Sequence, residues 1–177
     1  LRASGTMLGP LQGIPINLKD NIETATPMHT SGGAEILLNY VPLRDAPLVS
    51  DLRQSGAVIL GKASLSELAG VVSSRHPGFN AVSGAGLNPY GAGLPVLGSS
   101  SGSAITTSAY LTVASVGTET SGSLLAPASF NGVVAMKPSL QLVSNQGVIP
   151  LIHFQDSPGP VARTVTDAAV LLQCLAH

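Results

Sequence analysis

Two serine–glycine clusters hold the residue types in this chain best suited to chemistry. The first is Gly98-Ser99-Ser100-Ser101-Gly102-Ser103-Ala104, and the second is Gly117-Thr118-Glu119-Thr120-Ser121-Gly122-Ser123. A serine hydroxyl is a weak nucleophile at neutral pH and acts only beside a base. On composition alone, either cluster also reads as a flexible turn or the small-residue start of a helix. A phosphate cradle is a third option, since glycine-rich turns before helices offer N–H groups to anions. Neither cluster is followed by Lys-Ser/Thr, and GxGxxG is absent, so P-loop and dinucleotide spacings are not met. The four histidines, His29, His76, His153 and His177, are dispersed without ligand spacing, and no metal site is expected.

The elements around these clusters alternate between short strands and helices. Gly13–Lys19 places Ile14, Ile16 and Leu18 on one face of an expected strand that delivers Lys19 and Asp20 at its carboxyl end. Residues Ala46–Ser55 read as a helix with Pro47 near its start, Leu48 and Leu52 on one face, and Gly56 to end it. A buried strand is expected at Ala57–Leu60, then a helix opened by a capping box of Ser64 with Glu67. Residues 71–98 are rich in glycine and carry prolines at 77, 89 and 95, the mark of a long functional loop. Ser99 to about Leu111 reads as a small-residue helix, Thr112–Val116 and Val133–Met136 as strands, and Thr164–Ala176 as a helix with an apolar stripe. This order predicts an α/β fold with a largely buried sheet.

Composition adds one anomaly. Hydrophobic residues make up 44% of the 177 residues, but charged ones only 10%, against roughly 25% in ordinary soluble domains. So little charge suggests a surface partly covered by something else, either another chain or more of the same polypeptide. The chain also opens on Leu1 and stops at His177 without a tail, which favours a single, partial domain over residues 1–177. A net charge of −1, with its eight basic residues scattered, gives no reason to expect nucleic acid or an anionic membrane as partner. Cys174 is the single cysteine and lies in an apolar run, so a buried structural thiol is expected. No signal peptide or membrane-length apolar stretch is present, and the cytoplasm is the default expectation.

Taken together with Lys19, the two clusters resemble the amidase-signature family of hydrolases. That family carries a GIPxxVKDN-like strand, a Gly-Ser-Ser-rich stretch and a GT(D/E)xxGS stretch. Here they stand in order as Gly13-Ile14-Pro15-Ile16-Asn17-Leu18-Lys19-Asp20-Asn21, Gly98–Ala104 and Gly117–Ser123. The flanking Val58-Ile59-Leu60-Gly61-Lys62, Met136-Lys137-Pro138-Ser139 and Asp156-Ser157-Pro158-Gly159-Pro160 agree with it as well. Ser99 and Ser123 lie 24 positions apart, the spacing of the family's bridging and nucleophilic serines.

The resemblance implies a mixed, mostly buried β-sheet covered by helices on both faces, and only part of it, since family members are usually two to three times longer. It implies hydrolysis of a neutral small-molecule carboxamide through an acyl-enzyme, with no cofactor. In that reading Ser123 is the nucleophile, Ser99 the bridge in a cis peptide after Gly98, and Lys19 the base. Burial would keep Lys19 neutral. Backbone N–H groups of Thr120, Ser121, Gly122 and Ser123 would form the oxyanion hole. Ser100, Glu119 and Arg163 would support the site, with Glu119 pairing with Arg163. Asp20, Asp156 and Arg163 would hold loops around the site, and Lys62 and Lys137 would form structural salt bridges. The alternative is a catalytically silent piece that needs a second chain. The motif phrases look more like the peptide-amidase and acylamidase branch than the tRNA-linked amidotransferase branch. Three positions depart from the pattern. Leu97 stands where a small residue is usual, Ser121 where many members have glycine, and Leu125 where arginine is frequent.

Overall fold

The computed structural model describes residues 5–25, 27–71 and 76–176. His177 and residues 72–75 of the expected long loop therefore lie outside the described residues.

Strand β1 (Pro15–Lys19) is buried almost throughout, because apolar side chains occupy one face and Asn17 and Lys19 are covered on the other. Helix α1 (Pro47–Gln54) begins with proline at its first turn, where the missing N–H costs nothing, and buries Leu48, Val49 and Leu52. Strand β2 (Val58–Ala63) runs parallel to β1. The loop segment forms a two-residue ladder between β3 (Phe79–Asn80) and β4 (Gly84–Ala85). Helix α2 (Ser101–Ser108) follows the first serine cluster, and β5 (Ala114–Glu119) leads into the second. Helix α3 (Leu125–Phe130), β6 (Val134–Ala135), β7 (Ser157–Ala162) and α4 (Val165–Leu175) complete the order. Thr164 caps α4: its Oγ1 accepts from Asp167 N at 3.1 Å and donates to the Asp167 carboxylate at 2.6 Å.

The five-stranded sheet has the order β2-β1-β5-β7-β6. The β1–β2 and β1–β5 pairs are parallel, and β5–β7 and β6–β7 are antiparallel, so the sheet is mixed, as expected. Ile16, Leu18, Ala114, Val116 and Ala162 pack on α1 and α4 residues, among them Leu52, Leu171 and Leu175, in one apolar cluster. Full burial of each leucine or isoleucine there stabilises the fold by about 1.5–3 kcal/mol. The opposite face meets α2, where Thr107 Oγ1 donates to Ser115 Oγ at 3.0 Å. Cys174 is buried in the α4 cluster, as expected of a structural thiol.

Several local expectations are corrected. The Ala57–Leu60 run does not form a buried strand: β2 is a sheet edge, with Val58 and Leu60 half exposed. Four apolar letters in a row cannot tell an edge from a centre. The Ser64–Glu67 capping box does not form. Ser64 Oγ instead accepts from Asn80 Nδ2, Glu67 Oε2 accepts from Ala81 N, and Glu67–Gly70 is a short 3-10 turn. The β6 segment is only two residues long and half buried. Strand β7 carries Pro158 and Pro160, which argue against a central strand from sequence. Pro160 O accepts from Met136 N, so both prolines turn their missing donors toward β6. That strand pairs with Val161 and Ala162 and requires no N–H from either proline.

Candidate active site

Lys19 is fully buried at the carboxyl end of β1. Its Nζ lies 2.7 Å from Ser99 Oγ, 2.8 Å from Thr118 Oγ1 and 3.1 Å from Thr118 O. Parallel pairing of β1 with β5 is what brings Lys19 beside Thr118, ninety-nine residues away in sequence. Burial pushes the Lys19 ammonium down from 10.5 to about 7, against the opposing pull of Asp156 and then Glu119. A lysine in that range is divided between its charged and neutral forms at physiological pH.

The Gly98–Ser99 peptide bond is cis, at the place the resemblance indicated. Ser99 O accepts from Ser66 N at 3.0 Å, and Ser100 N donates to Ser123 O at 3.0 Å, so the two serine clusters are tied by their backbones. Ser100 Oγ donates to Thr118 O at 2.9 Å and accepts from Thr118 N at 3.2 Å, riveting the start of α2 to β5. Gly117 faces this rivet: a Cβ there would stand 2.7 Å from Ser100 Oγ.

Beyond β5 the chain turns through Gly122, whose φ of +80° few other residues adopt. Ser123 is 9% exposed, and its hydroxyl has no partner among the described residues. The backbone N–H groups of Thr120, Ser121, Gly122 and Ser123 likewise donate to no described residue. The next two are satisfied: Glu119 Oε2 accepts from Leu124 N at 2.8 Å and Leu125 N at 3.1 Å. Glu119 thus divides the loop into a capped part and a run of four unused donors ending at Ser123. Thr120 and Ser123 are buried, Gly122 is partly so and Ser121 is exposed, and a run of neighbouring unused N–H groups is suited to negative charge on a small ligand.

Ser99, Lys19, Ser100, Glu119 and the Thr120–Ser123 loop therefore share one region, and Arg163 does not. Arg163 Nη1 donates to Thr107 O and Thr112 O at 3.0 and 2.9 Å, and its guanidinium stacks 4.4 Å over the Tyr110 ring. The pairing with Glu119 is corrected by the β5–β7 register, which sets Ala114 opposite Ala162 and Glu119 opposite Ser157. Arg163 therefore follows the far end of β5, about 17 Å of strand away. Lys62 does lie near Asp20, at 3.5 Å, and donates to Ile22 O and Thr30 Oγ1. Among the described residues Lys137 makes no ion pair and instead donates to Thr120 O at 2.6 Å. Asp156 holds a loop as expected, accepting from Thr120 Oγ1 at 2.5 Å and from the N–H groups of Leu151 and Ile152. Asp20 does the same for Ser31, through its N–H and hydroxyl.

Three partners went unread in the sequence. Thr118 contributes two of the three Lys19 contacts, Asn21 Nδ2 donates to Thr118 Oγ1 at 3.1 Å, and Gln155 Nε2 donates to Thr120 O at 3.2 Å. Only the place of Thr118 inside the second cluster could have drawn attention to it. Among the described residues no group of His, Cys, Asp and Glu is arranged to hold a metal. No helix there is long and apolar enough to cross a membrane.

Comparison with known proteins is consistent with this geometry. The sequence model of the amidase family matches residues 1–177. A probable amidase of Arabidopsis thaliana is 51% identical over 171 residues, covering 96% of this chain and 33% of its own length. The crystal structure of the native peptide amidase of Stenotrophomonas maltophilia superposes with a TM-score of 0.94 at 47% identity, over 99% of this chain and 36% of that one. The crystal structure of an amidase family protein from Bacillus anthracis superposes with a TM-score of 0.97 at 43% identity, again over 99% of this chain and 36% of that one. The chain spans about a third of the length of these relatives. With every residue inside the family model and its motifs gathered at one site, the chain belongs to the amidase family.

Proposed function

We propose that this chain carries the catalytic groups of an amide hydrolase, with Ser123 as nucleophile, Ser99 as proton bridge and Lys19 as base. The observation that carries the reading is the 2.7 Å contact between Ser99 Oγ and a buried lysine whose burial holds it at about 7. In its neutral form Lys19 takes the Ser99 hydroxyl proton as Ser99 takes that of Ser123, and Ser123 Oγ adds to the carbonyl carbon of the amide. The carbonyl oxygen becomes an oxyanion facing the unused N–H groups of residues 120–123. Collapse breaks the carbon–nitrogen bond, the proton returns through Ser99 to the leaving nitrogen, and ammonia or an amine departs. Water then attacks the Ser123 ester along the same proton path and releases the carboxylic acid.

A neutral carboxamide suits this reading best, because Leu125 stands two residues after Ser123 where the family often carries an arginine, and it brings no charge for an anionic substrate. A second reading, that the chain needs additional polypeptide to act, rests on its covering about a third of its relatives' length. A fluorophosphonate probe followed by mass spectrometry should find label on Ser123, and folded protein unlabelled there would count against the nucleophile assignment. Ammonia release from a blocked dipeptide amide, measured with the chain alone and with the remaining two thirds of a relative supplied in trans, separates the two readings.

A further inference from the structure

The Lys137 ammonium is used in an unusual way. Among the described residues its one hydrogen-bond partner is the Thr120 carbonyl oxygen at 2.6 Å, and it pairs with no carboxylate. The same oxygen also receives Gln155 Nε2 at 3.2 Å. Nothing in the packing of Thr120 calls for a full charge there, because Asp156 already fixes its side chain at 2.5 Å. The Thr120–Ser121 peptide is trans, so the N–H of Ser121 points opposite to the oxygen that Lys137 holds. That N–H is the second of the four unused donors.

We infer that Lys137 is a positioning residue of the oxyanion-binding loop: it orients the Thr120–Ser121 peptide and polarises it, so that Ser121 N–H donates more strongly to negative charge. The physical basis is cooperativity, since a cation on a peptide oxygen strengthens donation from the nitrogen of the same peptide. Gln155 serves the same oxygen with a neutral donor and a longer bond. The inference rests on the proposed amide hydrolysis and adds to it a residue that touches neither substrate nor nucleophile.

The test uses the full natural polypeptide, a blocked dipeptide amide as substrate, and the matching dipeptide aldehyde and alcohol as ligands. The aldehyde accepts Ser123 Oγ at its carbonyl carbon and presents a tetrahedral oxygen to the loop, whereas the alcohol cannot. Lys137→Met should lower kcat about tenfold, less than the roughly hundredfold of an oxyanion donor lost outright, because the Ser121 N–H stays in place and is only weakened, while KM and alcohol affinity change less than threefold. Aldehyde affinity should fall with kcat. Lys137→Arg should restore most of both, and Gln155→Leu should shift them in the same direction by a smaller factor. A Lys137→Met enzyme whose aldehyde and alcohol affinities fall together, or whose kcat is unchanged, overturns the inference. So does a Gln155→Leu enzyme with no aldehyde-specific loss, should Lys137→Met fail to fold. Wild-type protein that a fluorophosphonate leaves unlabelled at Ser123 overturns the underlying reading as well, whereas normal labelling without the aldehyde–alcohol split overturns the Lys137 inference alone.

Discussion

Lys19 Nζ and Ser99 Oγ stand 2.7 Å apart inside the protein, and the other two contacts of that nitrogen both go to Thr118. Thr118 O can only accept, so it always takes one Lys19 hydrogen. A charged lysine has three hydrogens for three acceptors, which leaves the Ser99 hydroxyl free to donate elsewhere. A neutral lysine has two hydrogens and a lone pair, and a hydroxyl must then donate to it. Ser99 can supply that proton, which makes the protonation state of Lys19 a switch on the direction of one hydrogen bond.

The first prediction follows from that switch. With Lys19 near 7, kcat/KM on an amide should fall about tenfold per pH unit below pH 7 and level off above it. Lys19→Met should abolish the acid limb and lower activity by orders of magnitude. A profile flat from pH 5 to 8 would sink the base assignment.

Stability should follow pH in the same window. Folding lowers the pKa of Lys19 from 10.5 to about 7, and that of Lys62 from 10.5 to about 8, in both cases chiefly by desolvation. Between about pH 7 and 10.5 the unfolded chain therefore binds more protons, and stability rises with pH, by at most about 1.4 kcal/mol per unit for each lysine. Below about pH 7 the two contributions are constant and unfavourable. Urea midpoints measured from pH 6 to 10 should climb, and Lys19→Met should flatten the climb.

The carboxylates give a separate handle on the same group. Asp156 and, less strongly, Glu119 both raise the Lys19 pKa. Asp156→Asn should therefore move the acid limb to lower pH, and Glu119→Gln should move it the same way by less. Glu119→Gln should also cost about 1 kcal/mol or more, because its Oε2 is the acceptor for both Leu124 N and Leu125 N. A limb that moves upward in either variant would contradict the electrostatic ordering. Thermal melts beside the pH profiles keep the two effects apart.

How much of this was legible in the residues depends on how far each feature reaches. Lys19, Ser99 and Ser123 sit in local motifs whose letters are distinctive. Helices α1 and α4 announce themselves by Pro47, Thr164 and their apolar stripes, which are local as well. The partners of Lys19 were not legible, since Thr118 reaches it only through the pairing of β1 with β5. The Glu119–Arg163 pairing failed for the same reason, because a register across two strands separates residues that look complementary in sequence. Strand β7 was hidden by its prolines, whose tolerance depends on how short β6 is.

Close packing at the start of α2 gives a prediction about shape alone. A Cβ on Gly102 would run into Ser64 O and stand 2.5 Å from Ser64 N, both backbone atoms that cannot swing aside. Gly102→Ala should destabilise by about 1–3 kcal/mol and shift the serine cluster. Gly93→Ala, with nothing within 4 Å of the added carbon, should leave the melting temperature within about a degree or two, since exposed substitutions rarely exceed about 0.5 kcal/mol. Equal melting temperatures for the two variants would rule out the tight contact between Ser64 and α2.

Leu97 sets up the opposite experiment. It occupies the left-handed region, with φ of 51°, immediately before Gly98. A side chain in that region costs about 1–2 kcal/mol, and glycine avoids the cost. Glycine also frees the unfolded chain, which offsets up to about 1 kcal/mol of the gain, and Leu97 is partly buried, so its contacts are lost too. Because these terms nearly cancel, Leu97→Gly should change stability by less than about 1 kcal/mol, whereas Leu97→Val, β-branched and held at the same φ, should be clearly destabilising. Denaturant titration of both variants gives the comparison. If Leu97→Val proves as stable as the wild type, the backbone before the serine cluster does not hold the left-handed conformation in solution.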